Sequence, residues 1–137
     1  MVAGSNGCST AALLASTAPD RVERLLLAWP ATAGDPTMDA LARRGLTDRG
    51  APPRSVDALL SGATLRGLSD AEIARLSMPV GVLPALPANP VHQRRTVEAL
   101  RDLLPHAIEL PGCPEPPRRD FAPHLEIFVE AVAAFAA

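Results

Sequence analysis

Short apolar runs alternate with stretches of helical periodicity along this chain. Val2 and Ala3 close a first run, Gly4-Ser5-Asn6-Gly7 reads as a sharp turn, and residues 8–18 carry small or apolar side chains at Ala11, Ala12, Leu14, Ala15 and Ala18. Alanine rather than leucine on that face predicts a helix packed closely on a sheet. Leu25-Leu26-Leu27-Ala28-Trp29 is a continuous apolar run closed by Pro30, as suits a strand buried on both faces. Strand, helix and strand within about thirty residues make a parallel crossover. Between Ala31 and Ser77 no strand pattern occurs. Three short helices are predicted there: residues 38–44 with Gly45 as the stop, 54–61 with Gly62 after it, and 69–76 opened by the capping box Ser69-Asp70-Ala71-Glu72. Residues 79–84 give a third strand. Asn89 caps a helix with Pro90 at its first position, whose inward face is Val97, Leu100, Leu103 and Leu104. Residues 107–110 form a short fourth strand, 111–120 a proline-rich turn region, and 123–135 a last helix with Leu125, Phe128, Val129, Val132 and Phe135 as core positions.

Composition narrows the class. At 137 residues the chain fits one domain, and 47% apolar with 3% aromatic content means a core of Leu, Val and Ala. A net charge of −2 leaves no basic footprint for nucleic acid or anionic membrane. All 13 basic residues are Arg, which points to coding bias more than to function. The two cysteines, Cys8 and Cys113, are too few for a disulfide framework, so a reducing cytoplasm is expected. No run approaches the ~20 apolar residues of a membrane span, and the start lacks the pattern of a signal peptide.

The stretch that carries chemistry is the first one. A small residue, any residue, Ser, any residue and Gly between a buried strand and a helix make the signature of a nucleophile elbow, here Ala3-Gly4-Ser5-Asn6-Gly7. The plain alternative is a turn whose serine caps the helix. Ser9 would lie buried inside the helix, and Gly4 and Gly7 lack the full dinucleotide or Walker pattern for cradling a phosphate.

With the elbow, the Arg21–Leu27 strand approach, the insert and Leu86-Pro87-Ala88-Asn89-Pro90-Val91-His92 in order, nearly the whole chain resembles the C-terminal half of an α/β-hydrolase. The resemblance implies one partial domain over 1–137, of class α/β. About four mainly parallel strands would be flanked by helices, with a small helical cap-like insert at about 36–77. It implies ester or acyl hydrolysis with Ser5 as nucleophile and the Asn6 backbone N–H in the oxyanion hole, the second donor coming from a half of the fold that precedes the elbow. It also implies a first strand with an open edge, where a second copy or a complementing chain could pair. The substrate would be a small ester-like molecule; no cofactor, metal, nucleic acid or membrane partner is expected.

The rest of the triad is where the resemblance departs. The family's acid follows the third of these strands, and Asn89 stands there; an amide in that role costs about 10⁴ in turnover in a serine protease. Asp35 is a substitute location, with a turn role before Pro36 as the simpler reading. The base belongs in the loop after the fourth strand, residues 111–121, which holds no histidine. His124 lies just beyond it. His92 reads as a solvent-facing or capping residue, His106 as a surface turn residue, and Cys113 as a small buried hydrophobe. An unassisted serine is a poor nucleophile. The sequence thus predicts a hydrolase-like chain, shortened before the elbow and with a degenerate triad, that is weak or inactive alone. The alternative is a non-catalytic binding module on the same scaffold.

Overall fold

The computed structural model describes residues 1–137. Four strands form one parallel sheet in the order β1-β2-β3-β4: β1 (Val2–Gly4), β2 (Leu25–Ala28), β3 (Val80–Leu83) and β4 (Ile108–Glu109). The helices are α1 (Gly7–Thr17), α2 (Pro36–Asp48), α3 (Pro53–Leu59), α4 (Asp70–Ile73), α5 (Arg94–Leu103) and α6 (Leu125–Ala136). Because side chains alternate across a strand, the run in β2 serves both faces of the sheet. Leu25 and Leu27 join Val80 and Val82 under α1, α5 and the insert, in a cluster that contains Cys8, Ala12, Ala15, Val97 and Leu100. Leu26, Ala28 and Leu83 face the other way, with Trp29, Cys113 and Phe135. Alanines on α1 let that helix lie close to the sheet, as their size predicts.

Several boundaries differ from the sequence reading, each for a local reason. Helix α2 runs through Gly45 to Asp48, with Arg49 as its C-cap and Gly50 next at φ +80°. The left-handed residue that stops the helix is therefore Gly50, five positions after the glycine the pattern suggested. The capping box at Ser69 and Glu72 forms in both directions, but its helix is a single turn. On α6, Phe135 is buried, whereas Leu125 and Val129 are more than half exposed, so the expected core stripe is only partly core. The largest shift concerns α5, which starts at Arg94 rather than at Pro90. Residues 89–93 are held in another conformation, described below.

The first strand has three residues and stands at a sheet edge, with Val2 about half exposed. No helix is long and apolar enough to cross a membrane.

Candidate active site

Ser5 sits where β1 turns into α1, with φ +54°. A left-handed backbone is strained for a non-glycine residue and persists only where its surroundings impose it. Here the Ser5 N–H donates to the Ala28 carbonyl at 3.0 Å, and the Ser5 carbonyl accepts from the Cys8 N–H at 3.1 Å. These bonds fix the turn between the end of β2 and the first turn of α1. The hydroxyl is thereby held above the carboxyl ends of the strands. The Asn6 N–H, next in the chain, donates to no backbone carbonyl and is free to meet an anionic oxygen.

His92 Nε2 lies 3.0 Å from Ser5 Oγ. This corrects the expectation that nothing is placed to activate the serine, and the expectation that His92 faces solvent: it is buried, at 8% exposure. The physical reason is the conformation of residues 89–93. The Asn89 side chain caps not a helix but a turn, its Oδ1 accepting from the Val91 and His92 N–H groups at 3.0 and 3.1 Å. Two bonds to Thr32 flank the histidine: the Thr32 N–H donates to the Val91 carbonyl at 2.7 Å, and Thr32 Oγ1 accepts from the Gln93 N–H at 2.9 Å. A proline at position 90 looks like the start of a helix, but these four bonds delay it by four residues.

Behind the histidine stands Glu115. Its Oε1 accepts from Asn89 Nδ2 at 2.8 Å and lies 3.4 Å from His92 Nδ1. The second distance is too long for a good hydrogen bond, and both His92 Nδ1 and Glu115 Oε2 are buried without a partner. A shift of about 0.5 Å would close the 3.4 Å gap to an ordinary hydrogen bond, and such contacts are commonly loose before substrate binds. Glu115 is carried by a well-anchored loop. The Cys113 carbonyl accepts from Trp29 Nε1 at 2.9 Å and from the Leu86 N–H at 3.1 Å, and the Cys113 N–H donates to the Pro84 carbonyl at 3.3 Å. Gly112 is required at the entry to that loop, since a Cβ there would come within 2.7 Å of the Pro84 carbonyl oxygen and Leu86 Cγ. The Trp29 ring is itself stacked on Phe128, centroids 4.9 Å apart, with Phe121 edge-on at 5.8 Å.

Burial lowers the pKa of His92 below its ordinary value, and the Glu115 carboxylate offsets part of that shift. A neutral imidazole protonated at Nδ1 presents a lone pair at Nε2, so it can take the proton of Ser5 Oγ as the hydroxyl attacks. Glu115 is oriented to stabilise the imidazolium that results.

The other candidates have different occupations. Asp35 is the N-cap of α2, accepting from the Thr37 and Met38 N–H groups at 3.0 Å, and the second of these bonds is the main cause of its lowered pKa. His124 precedes α6 and makes no side-chain hydrogen bond to Ser5 or to anything else. His106 is an exposed turn residue whose Nε2 lies 3.1 Å from the Met78 carbonyl. Ser9 is buried in α1, its Oγ accepting from the Arg66 N–H at 3.0 Å and so tying the insert to the helix. Cys113 is a buried small hydrophobe, and Cys8 is buried enough that its thiol pKa is pushed up to about 12. No group of three or more His, Cys, Asp or Glu side chains is arranged to hold a metal ion. Sequence reasoning missed His92 and Glu115. The available signal was Asn89 three residues before a histidine, which fits a turn cap as well as a helix cap.

A cavity of about 450 Å³ opens beside this centre, between the first turns of α1 and the helices of the insert. Asn6 lines it; Ser5 does not.

No protein-family model and no curated protein sequence matches the chain. Solved structures do resemble it. The structure of Rv0554 from Mycobacterium tuberculosis aligns with TM-score 0.68 at 16% identity, covering 98% of this chain and 64% of its own. A meta-cleavage product hydrolase from Pseudomonas fluorescens IP01 aligns with TM-score 0.67 at 17% identity, covering 98% and 63%. An alpha/beta hydrolase from Sphaerobacter thermophilus gives 0.63 at 20% identity, covering 99% and 66%. The chain thus spans about two thirds or slightly less of the length of these structures. At such identities the likeness speaks for the fold alone. That fold, a parallel sheet whose first strand turns through a strained serine into a helix, is the α/β-hydrolase fold, present here in part.

Proposed function

We propose that this chain is a serine acyl hydrolase in which Ser5 is the nucleophile, His92 the base and Glu115 the acid. The observation that carries the reading is the 3.0 Å approach of His92 Nε2 to the hydroxyl of a serine held at φ +54°. Relative to the family order of serine, acid, histidine, the two loops that supply the partners have exchanged duties. Ser5 Oγ attacks the acyl carbon while its proton passes to His92 Nε2, and the Asn6 N–H holds the oxyanion. Collapse breaks the bond to the leaving alcohol, which takes the proton from His92. Water, deprotonated by the same nitrogen, then cleaves the acyl-enzyme and regenerates Ser5. The Asn6 N–H is the oxyanion donor, and removing such a donor costs on the order of 10²–10³ in turnover.

The test is labelling by a fluorophosphonate together with hydrolysis of a 4-nitrophenyl ester. The expected result is stoichiometric modification of Ser5, with both labelling and turnover lost in Ser5→Ala and in His92→Gln. Labelling that persists at full rate in His92→Gln would overturn the assignment of the base.

A further inference from the structure

The cavity beside Asn6 has a one-sided charge. Its lining includes Thr10 and Leu13 of α1, Leu41 of α2 and Leu59 of α3, and its only charged lining residues are Arg49 and Arg66. Arg49, at the end of α2, is exposed and forms no ion pair. Arg66 lies mostly buried. Its Nη2 is 3.1 Å from Asp39 Oδ1, while its Nε is buried with no hydrogen-bonding partner. Asp39 does not line the cavity. Around a largely apolar space, Arg49 leaves one positive charge uncompensated, and Arg66, though paired with Asp39, keeps a buried donor with no acceptor. Guanidinium is the side chain best suited to a planar carboxylate, which it can grip with two parallel bonds.

We infer that the cavity takes the acyl portion of a substrate that carries a carboxylate, with Arg49 and Arg66 binding that group. This rests on the hydrolase reading above, since Asn6, the oxyanion donor, is what joins the cavity to the reacting centre. The volume suits a short chain of a few carbons between the two acyl ends, at the small end of ligand sites. Leu41 and Leu59 cover the methylenes, and the arginines anchor the far end. A neutral ester of equal length leaves Arg49 without an anionic partner and the Arg66 Nε–H unbonded.

Monomethyl glutarate and dimethyl glutarate form a matched pair differing in one negative charge. Titration calorimetry on the Ser5→Ala chain, which cannot cleave either, is expected to show the monoanion binding at least about tenfold more tightly, the usual worth of a charge-assisted hydrogen bond. That advantage should shrink in Arg49→Gln combined with Ser5→Ala, and should fall as salt is raised, because Arg49 is exposed. In the unaltered chain, monomethyl glutarate should slow fluorophosphonate labelling of Ser5 more than the diester does. This second readout does not depend on either variant folding. Equal binding of the two glutarates, or no detectable binding of the monoanion, overturns the carboxylate assignment even if ester turnover is confirmed. A preserved tenfold preference in a chain without turnover overturns the hydrolase reading and leaves the carboxylate site standing.

Discussion

The loops that follow β3 and β4 make an instructive pair. Both leave the carboxyl end of a strand, both are rich in proline, and each delivers one side chain toward the site: His92 to Ser5, and Glu115 to the far side of His92. They differ in how that side chain is held. The loop after β3 fixes His92 through its backbone, with bonds from Asn89 and Thr32 on either side. The loop after β4 fixes the backbone at Cys113, two residues before Glu115, and leaves the carboxylate to Asn89 Nδ2. Position on the sheet therefore determines where a side chain arrives, whereas the residue type determines its task. In the proposed reading a base and an acid trade places, which requires only that the imidazole still reaches the serine and the carboxylate still reaches the imidazole.

The strongest way to break this comparison is to remove the base. His92→Gln keeps a polar side chain but supplies no lone pair of suitable basicity. Ester turnover and the rate of fluorophosphonate labelling should both collapse, by up to about 10⁶ for turnover, the loss seen when the triad histidine of a serine protease is removed. His124→Gln, which alters the histidine lying just beyond the family's usual loop, should change neither by more than about twofold, because it touches no part of the site.

Glu115→Gln should cost less. In a serine protease the equivalent loss approaches about 10⁴ because the imidazole adopts the wrong tautomer. Here the Nδ1–Oε1 separation is already 3.4 Å and His92 is braced by its backbone. A reduction on the order of 10² in turnover is expected. It should appear in kcat with little change in KM, since Glu115 stabilises charge that exists only during the reaction.

Asn89→Asp separates loop position from geometry. If an acid after β3 were sufficient, this change would restore the family order and raise activity. The structure predicts the reverse, since the new carboxylate would lie 2.8 Å from Glu115 Oε1 in place of a hydrogen-bond donor. Two carboxylates at that distance cannot both ionise freely. The lost charge-assisted bond alone is worth about 1.5–3 kcal/mol. Thermal unfolding should show Asn89→Asp less stable than the unaltered chain, and its ester turnover should fall rather than rise.

Much of the framework was legible because it depends on local periodicity. The apolar run at Leu25–Ala28, the alanines of α1 and the capping box at Ser69 each specify their element without reference to distant residues. Ser5 was legible for the same reason, being defined by its own turn. His92 and Glu115 were not, because their roles arise from contacts 87 and 23 residues apart in sequence. The segment Asn89-Pro90-Val91-His92 is compatible with a helical start. Thr32, on a different strand's exit, together with the Asn89 side chain, holds it out of that conformation. Asp35 illustrates the converse: its sequence placement allowed a catalytic role, and a local capping interaction uses it up.

The finest discrimination between the two loops comes from pH. Burial by the first loop lowers the pKa of His92 below 6.5, and the carboxylate from the second loop pushes it partly back up. The native state therefore holds its histidine neutral more tenaciously than the unfolded chain does. Its contribution to stability is present above the ordinary histidine pKa and is lost as pH falls through the lower native value. Activity should follow the same group, with the acid limb of kcat/KM lying below 6.5 in the unaltered chain. In Glu115→Gln the upward push disappears while the burial remains. The acid limb should then move to still lower pH, even as the plateau rate drops. A limb that instead moves upward in Glu115→Gln would mean that the carboxylate does not act on His92, and the exchange of duties between the loops would fail with it.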